Sequence, residues 1–331
     1  MSVQETYLQG IADAIREKTG LTGTIKASEF ASKIAAIPTG VAKPKWVQST
    51  MPASNDWYSV CYGAGKFIAV SWSSTIAAYS TDGVNWTQID MPVSKAWRSV
   101  CYGAGKFVAV AKNASVAAYS TDGINWTQCT MPGQRNWSSV CYGNGKFVAI
   151  CDDSMLPAYS TDGITWTSTR MPVSANWYSV CYGAGKFVAV ATYNTTAAYS
   201  TDGINWTQCT MPGSSYWRSV CYGNGKFIAM SSGLVYAYSD DGINWTERTM
   251  PVSASWHPIC YGNGKFVTIS SYDTSAIAIY STDGINWAQC TMPVNAGWIS
   301  ACYGNGNFVA VARTTTNAVA AYLKDSFDEW A

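Results

Sequence analysis

The chain has 331 residues, of which only 12% are charged and 14% are aromatic, and its 21 basic and 20 acidic side chains leave a net charge of +1. That balance gives no electrostatic reason to expect a nucleic acid or an anionic membrane as partner. No apolar run approaches the roughly 20 residues of a membrane span, and the N-terminus lacks the basic, apolar, then small-residue order of a secretory signal, so synthesis and folding in the cytoplasm are expected.

Residues 1–38 read as two short amphipathic helices. Leu8, Ile11 and Ile15 fall on one face and Phe30, Ile34 and Ile37 on another. Gly20 can end the first helix, Ser28 can cap the second, and Pro38 follows its end. So few residues make a marginal core, so the hairpin is expected to dock, either on copies of itself, on another component of an assembly, or on the domain that follows. Residues 39–45 read as a linker and residues 46–331 as a repeat domain.

One sentence recurs through that domain: W-Y-S-V-C-Y-G-A-G-K-F-I-A-V, a variable stretch, then A-A-Y-S-T-D-G-V-N-W-T-Q and M-P. The leading tryptophans are Trp57, Trp97, Trp137, Trp177, Trp217, Trp256 and Trp298, spaced 40, 40, 40, 40, 39 and 42 residues apart. Units of this size bury no core alone, so neighbours must supply it. The apolar runs are short, β-branched or aromatic and bounded by glycine turns, which is a strand pattern. In the second unit the predicted strands are a (97–102), b (106–110), c (117–120) and d (125–130). The a-to-b link Gly103-Ala104-Gly105 suits a tight hairpin, and the c-to-d link S-T-D-G supplies an Asp that bonds its own turn and a Gly for the left-handed conformation.

Strands a to c are apolar at almost every position, so both faces of each sheet should be covered. The expected fold is all-β, a seven-bladed β-propeller of four-stranded antiparallel blades. The segment Trp46 to Pro52 matches a strand d with no a to c before it, and Trp298 to Tyr322 supplies a, b and c at the other end. One blade is therefore expected to be closed by strands from both termini, leaving no open edge. An open solenoid is the alternative, but it gives no reason for this offset of frame.

Of the eleven cysteines, seven share the V-C-Y-G slot (Cys61, Cys101, Cys141, Cys181, Cys221, Cys260, Cys302), Cys129, Cys209 and Cys290 share a second, and Cys151 stands alone. Equivalent slots on stacked sheets are about 10 Å apart, beyond the roughly 7 Å reach of a disulfide. They are expected to be buried thiols, and the absence of any C-x-x-C pair argues against zinc.

The units differ from each other in two zones. The b-to-c loop carries all the length variation, and the residue after the leading Trp changes from unit to unit: Tyr58, Arg98, Ser138, Tyr178, Arg218, His257, Ile299. In an antiparallel blade the b-to-c and d-to-a connections leave on one face and the near-invariant turns on the other. Binding residues concentrate on variable loops of a rigid scaffold. The ligand-binding candidates are therefore Tyr58, Trp72, Arg98, Asp152, Tyr178, Tyr193, Tyr216, Arg218, His257, Tyr272 and Arg313. Their aromatic faces beside polar groups suit sugar rings. The leading tryptophans either pack between blades or form repeated pockets.

No pair of carboxylates recurs as acid and base, and His257 is the only histidine, which argues against glycosidase, His-dependent nucleophilic and metal chemistry. No catalytic residue, cofactor or metal is predicted, and the chain is expected not to be an enzyme.

The S-T-D-G-I-N-W segments, with Asp82, Asp122, Asp162, Asp202, Asp241 and Asp283 each followed by Gly, resemble a shortened Asp-box, or BNR, repeat of sialidase-like propellers. The resemblance implies structural turns at these aspartates, remote from a ligand face. Residues 7–37 look like a segment recurring in tail-associated proteins of phages and prophages of Gram-positive bacteria. Together these imply a phage tail-associated receptor-binding protein, displayed on a tail or tail-like particle, that recognises a bacterial surface carbohydrate through the variable face and attaches to itself or to tail proteins through residues 1–38. Alternatives are a structural decoration protein of a tail particle and a sialidase-like hydrolase.

Overall fold

The hairpin between the first two strands of each unit shows how the sequence sets the geometry. Ala64 and Gly65 both have positive φ, 45° and 76°, as a two-residue type I′ turn requires, and Gly63 and Lys66 pair across it. In the computed structural model, which describes residues 44–152, 154–271, 276–313 and 318–324, the same turn recurs at Ala104-Gly105, Asn144-Gly145, Ala184-Gly185, Asn224-Gly225, Asn263-Gly264 and Asn305-Gly306. Residues 1–38, expected as a helical hairpin, and 39–43 of the expected linker lie outside the described residues.

The described residues are all β or loop. Strand β1 (Val47–Thr50) is followed by β2 (Trp57–Gly63), β3 (Lys66–Ser71), β4 (Ser74–Ser80) and β5 (Thr87–Gly103). Next come β6 (Lys106–Lys112), β7 (Ala114–Ser120), β8 (Thr127–Arg135), β9 (Trp137–Gly143), β10 (Lys146–Cys151), β11 (Ala158–Ser160) and β12 (Thr167–Ser168). Then follow β13 (Asn176–Gly183), β14 (Lys186–Ser200), β15 (Thr207–Gly223), β16 (Lys226–Ser239), β17 (Thr246–Gly262), β18 (Lys265–Ser270), β19 (Ile277–Ser281) and β20 (Ala288–Thr291). The last are β21 (Gly297–Gly304), β22 (Asn307–Arg313) and β23 (Val319–Lys324).

Neighbouring strands pair antiparallel in four-strand sets, of which β9 to β12 is the plainest. Where the expected d and a strands meet, the chain runs on without a break: β5, β15 and β17 are each 17 residues long and carry the d of one set and the a of the next. Strand d of the second unit begins at Thr127 rather than at residue 125. Strand β1 pairs with β23, Val47 opposite Tyr322 and Thr50 opposite Val319, so a strand from near the start of the described chain completes the set formed by its end.

Strand b is buried on both faces. Phe67, Ile68, Ala69 and Val70 are all inaccessible to solvent, and the clusters they join mix residues of adjacent sets, for example Ile68 and Val70 with Trp97 and Phe107. The seven leading tryptophans are fully buried, so they pack between sheets and present no pocket. Strand a runs innermost, and its serines link neighbours. Ser59 Oγ accepts the Val100 N–H at 3.1 Å, Ser99 that of Val140 at 3.1 Å, and Ser139 that of Val180 at 3.3 Å. Ser179 and Ser219 do the same for Val220 and Ile259. Each strand-a glycine leaves room for the next tyrosine: a Cβ on Gly63 would stand 2.0 Å from Tyr102 Cγ, and one on Gly304 would stand 2.1 Å from Tyr62 Cγ.

None of the eleven cysteines forms a disulfide, and burial pushes the Cys141 and Cys260 thiols far up, the latter to about 12. In the S-T-D-G turns, Asp82 Oδ1 accepts the N–H groups of Val84 and Asn85, each at 2.8 Å, and Ser80 Oγ accepts that of Gly83 at 2.8 Å. The bonds repeat at Asp122, Asp162, Asp202, Asp241 and Asp283. These carboxylates tie their own turns together.

Candidate functional site

The site starts from a backbone irregularity. The antiparallel register between strands a and b skips the residue after the leading Trp: Trp57 pairs with Ser71 and Ser59 with Val70, so Tyr58 has no partner. The skip recurs at Arg98, Ser138, Tyr178, Arg218 and Ile299, and in the sixth unit it takes in His257 and Pro258. A bulge of this kind bends a strand and re-aims a side chain. Here it turns the unit-specific residues inward, where they line one cavity of about 120 Å³. Because every unit contributes to that cavity, it lies where the innermost strands converge.

Tyr58, Arg98, Tyr178, Arg218 and His257, named from sequence alone, meet there. The Arg98 guanidinium carbon stands 4.9 Å from the ring centres of both Tyr58 and Tyr178. Arg218 lies 6.0 Å from Tyr178 and 5.8 Å from Tyr216, and Arg313 lies 5.6 Å from Tyr58. At these distances a cation over an aromatic face gains about 0.5–2 kcal/mol. Trp72 packs on Tyr58 at 5.0 Å and Tyr193 on Tyr216 at 4.4 Å. The result is a continuous stripe: Tyr193, Tyr216, Arg218, Tyr178, Arg98, Tyr58, Trp72. Its Tyr193 end is open to solvent, with Tyr193 62% exposed and Tyr216 43% exposed.

His257 is buried, and burial first, then the Arg218 and Arg98 charges, bring its pKa down to about 3. It is therefore neutral near pH 7. Its Nδ1 lies 3.1 Å from the Ile299 carbonyl oxygen, which can only accept, so Nδ1 carries the proton. Nε2 is left to accept from the Tyr178 hydroxyl at 3.1 Å. Burial raises the Tyr58 pKa, against the lowering effect of Arg98.

One candidate lies elsewhere. Asp152 turns to Lys112, 3.6 Å away, and belongs to an ion pair between neighbouring units rather than to the cavity. Tyr272 lies outside the described residues. Sequence reasoning left out the serines that follow the bulge, Ser59, Ser139, Ser179, Ser219 and Ser300, which also line the cavity. Their recurrence two places after Trp was visible; that the bulge brings adjacent positions to one surface was not. Among the described residues no group of three or more His, Cys, Asp or Glu is placed to hold a metal, and no helix is long and apolar enough to cross a membrane.

No protein-family profile and no curated protein matches the chain. Its fold is similar to virginiamycin B lyase from Staphylococcus aureus, with a TM-score of 0.76 at 12% identity over 85% of this chain and 99% of that one. It is also similar to YCF48 from Cyanidioschyzon merolae, with a TM-score of 0.66 at 12% identity over 84% and 98% of the two chains. A YCF48 structure bound to D1 peptide gives a TM-score of 0.67 at 15% identity over 86% of this chain and 97% of that one. The chain has a β-propeller fold. These likenesses correct two expectations. The similar propellers are lyases, YCF48 and WD40 proteins rather than sialidases or phage tail proteins, so the tail origin inferred from residues 7–37 and the Asp-box turns does not stand. The expectation of a non-enzyme does not stand either, because this architecture carries a lyase; the identity is low enough that the fold alone is shared.

Proposed function

We propose that this protein is a seven-bladed carbohydrate-recognition propeller, binding a glycan across the mouth of its central channel. The stripe from Tyr193 to Trp72 carries the reading. Flat aromatic faces with polar edges match the apolar faces and hydroxyl rims of sugar rings. The scaffold beneath is rigid, and the opposite face is occupied by turns that satisfy themselves. Binding of the full chain to an oligosaccharide array tests the proposal. Trp72→Ala and Tyr193→Ala should each weaken the best binder by roughly tenfold or more; no binder, or variants that bind as the parent does, sinks it.

A second reading, catalysis at the same mouth, is supported by the Tyr178–His257 hydrogen bond, which places a neutral imidazole and a phenol in one proton-sharing pair. Cleavage of a bound oligosaccharide by the parent, lost in His257→Gln with binding retained, would establish it; an uncleaved ligand after prolonged incubation would exclude it for that ligand.

A further inference from the structure

Arg98 and Arg218 face the cavity with no counterion among the described residues. Arg98 is only 8% exposed, and the cavity lining contains no carboxylate among the described residues. The two ion pairs found among those residues, Lys112–Asp152 and Lys226–Asp240, involve neither arginine. Asp56 pairs its backbone with that of Arg313 but forms no ion pair with an arginine among the described residues. Arg218 Nε is buried without a hydrogen-bond partner. Rings of Tyr58 and Tyr178 cover the Arg98 face, and that contact leaves the in-plane N–H donors of the guanidinium free.

Burying a cation without a partner is costly, so a site that gathers two and places neutral Tyr, His and Ser around them is missing an anion. Burial is the main cause of the lowered His257 pKa, and the Arg218 and Arg98 charges add to it. Volume narrows the occupant. About 120 Å³ admits a carboxylate or sulfate group but is below the roughly 300 Å³ of a pocket that encloses a whole small molecule.

We propose that this cavity is an oxyanion subsite, in which Arg98 and Arg218 clamp the acidic group of a glycan while its sugar rings lie outward on the Tyr193–Tyr216 and Tyr58–Trp72 platforms. The assignment rests on the carbohydrate reading above and adds the class of sugar: a uronate or a sulfated residue. Fork-shaped guanidinium donors match two-oxygen acceptors, and charge-assisted bonds of this kind are the strong ones.

Calorimetric titration of the full chain with glucuronate, inorganic sulfate and glucose, then with a hexuronate tetramer and a neutral hexose tetramer, tests it. Expected is at least tenfold tighter binding of the acidic tetramer, with Arg98→Gln and Arg218→Gln each weakening it by roughly 10- to 100-fold, a larger loss than either causes for the neutral tetramer. Tighter binding of sulfate than glucuronate, still dependent on the arginines, supports the oxyanion site and assigns the acid to a sulfate ester. Equal affinity for acidic and neutral tetramers overturns the proposal, and this comparison needs no variant. If Arg98→Gln does not fold, Arg218→Gln, whose side chain is half-buried, reads the same loss. The two readings fail separately. Acidic and neutral tetramers that bind alike through Trp72 and Tyr193, with Arg98→Gln and Arg218→Gln weakening neither, overturn the oxyanion site alone. Glucuronate bound as tightly as its tetramer, with Trp72→Ala silent, overturns the glycan alone.

Discussion

The Val60 N–H donates to Ser300 Oγ across 3.0 Å, although 240 residues separate them in the chain. It is the same bond that Ser59 makes to Val100 and Ser99 to Val140, and it carries the inner hydrogen-bond series from the last unit to the first. Gly304 and Tyr62 close the same seam. Pro258 and Ala301 replace the usual serine and valine at one junction, so the series is absent there and the Val60–Ser300 bond bears more of the closure. Ser300→Ala should destabilise the protein by about 1 kcal/mol, read as a lower midpoint in urea with an unchanged slope.

The outer seam depends on β1. Deleting residues 1–50 removes Trp46, which is 1% exposed, and bares the edge of β23. An open edge recruits another strand. The truncated chain should sediment as dimers or larger species, whereas deletion of residues 1–43, which keeps β1 on β23, should produce no such species.

Glycines of the same hairpin should differ in tolerance. At Gly143 an added Cβ would lie 2.0 Å from Tyr182 Cγ, while at Gly145 nothing lies within 4 Å but φ is +73°. Gly143→Ala must displace a ring in the seam between units and should cost about 3 kcal/mol or more. Gly145→Ala meets only backbone strain, about 1–2 kcal/mol. Thermal melts that rank them the other way would contradict the packing.

Two acid transitions should separate. His257 has an ordinary value of 6.5 and a folded value of about 3, so the unfolded chain binds the extra proton between them. Its contribution is complete above pH 6.5 and is lost as pH falls toward 3, with a ceiling of ~5 kcal/mol; His257→Gln should flatten this limb. The turn aspartates act lower. Burial disfavours the Asp82 anion, but the Asn85 and Val84 N–H groups outweigh it and hold the pKa at about 2. At Asp122 the Asn125 side chain leads and the direction is the same. Their stabilisation is present above the ordinary value of 3.8 and is lost as pH falls toward 2. Melting temperature followed against pH should show both limbs in the parent and only the lower one in His257→Gln.

Tyr193 stands at a position that Ser73, Asn113 and Gly233 fill in other units, all with positive φ. Its φ is 67°, an uncommon conformation for a bulky side chain. Tyr193→Gly relieves about 1 kcal/mol of strain and gives up a similar amount of ring contact with Tyr216. Stability should change little while glycan affinity falls, a split that a purely structural Tyr193 would not give.

Much of the fold was legible in the sequence. Short apolar runs, paired glycines and the Asp turn placed strands a to d because those signals are local, and the offset of Trp46 anticipated the β1–β23 pairing. The variable face was legible in part: comparing units picked out Tyr58, Arg98, Tyr178, Arg218 and His257, but nothing local announced that a bulge sends all of them to one cavity. Asp152 was misplaced for a related reason, since Lys112 belongs to the neighbouring unit and such contacts leave no trace in linear order. The unbroken 17-residue strands were missed because the M-P step between d and a looks like a break, whereas proline at an edge position leaves pairing on the other side intact.

The bulge also separates two tasks that a protein usually has to solve together. A residue outside the ladder carries no share of the register, so Tyr58, Arg98, Ser138, Tyr178, Arg218, His257 and Ile299 can be exchanged without rewriting the sheets that present them. They amount to a seven-letter word written on a fixed page, and a new ligand needs only a new spelling.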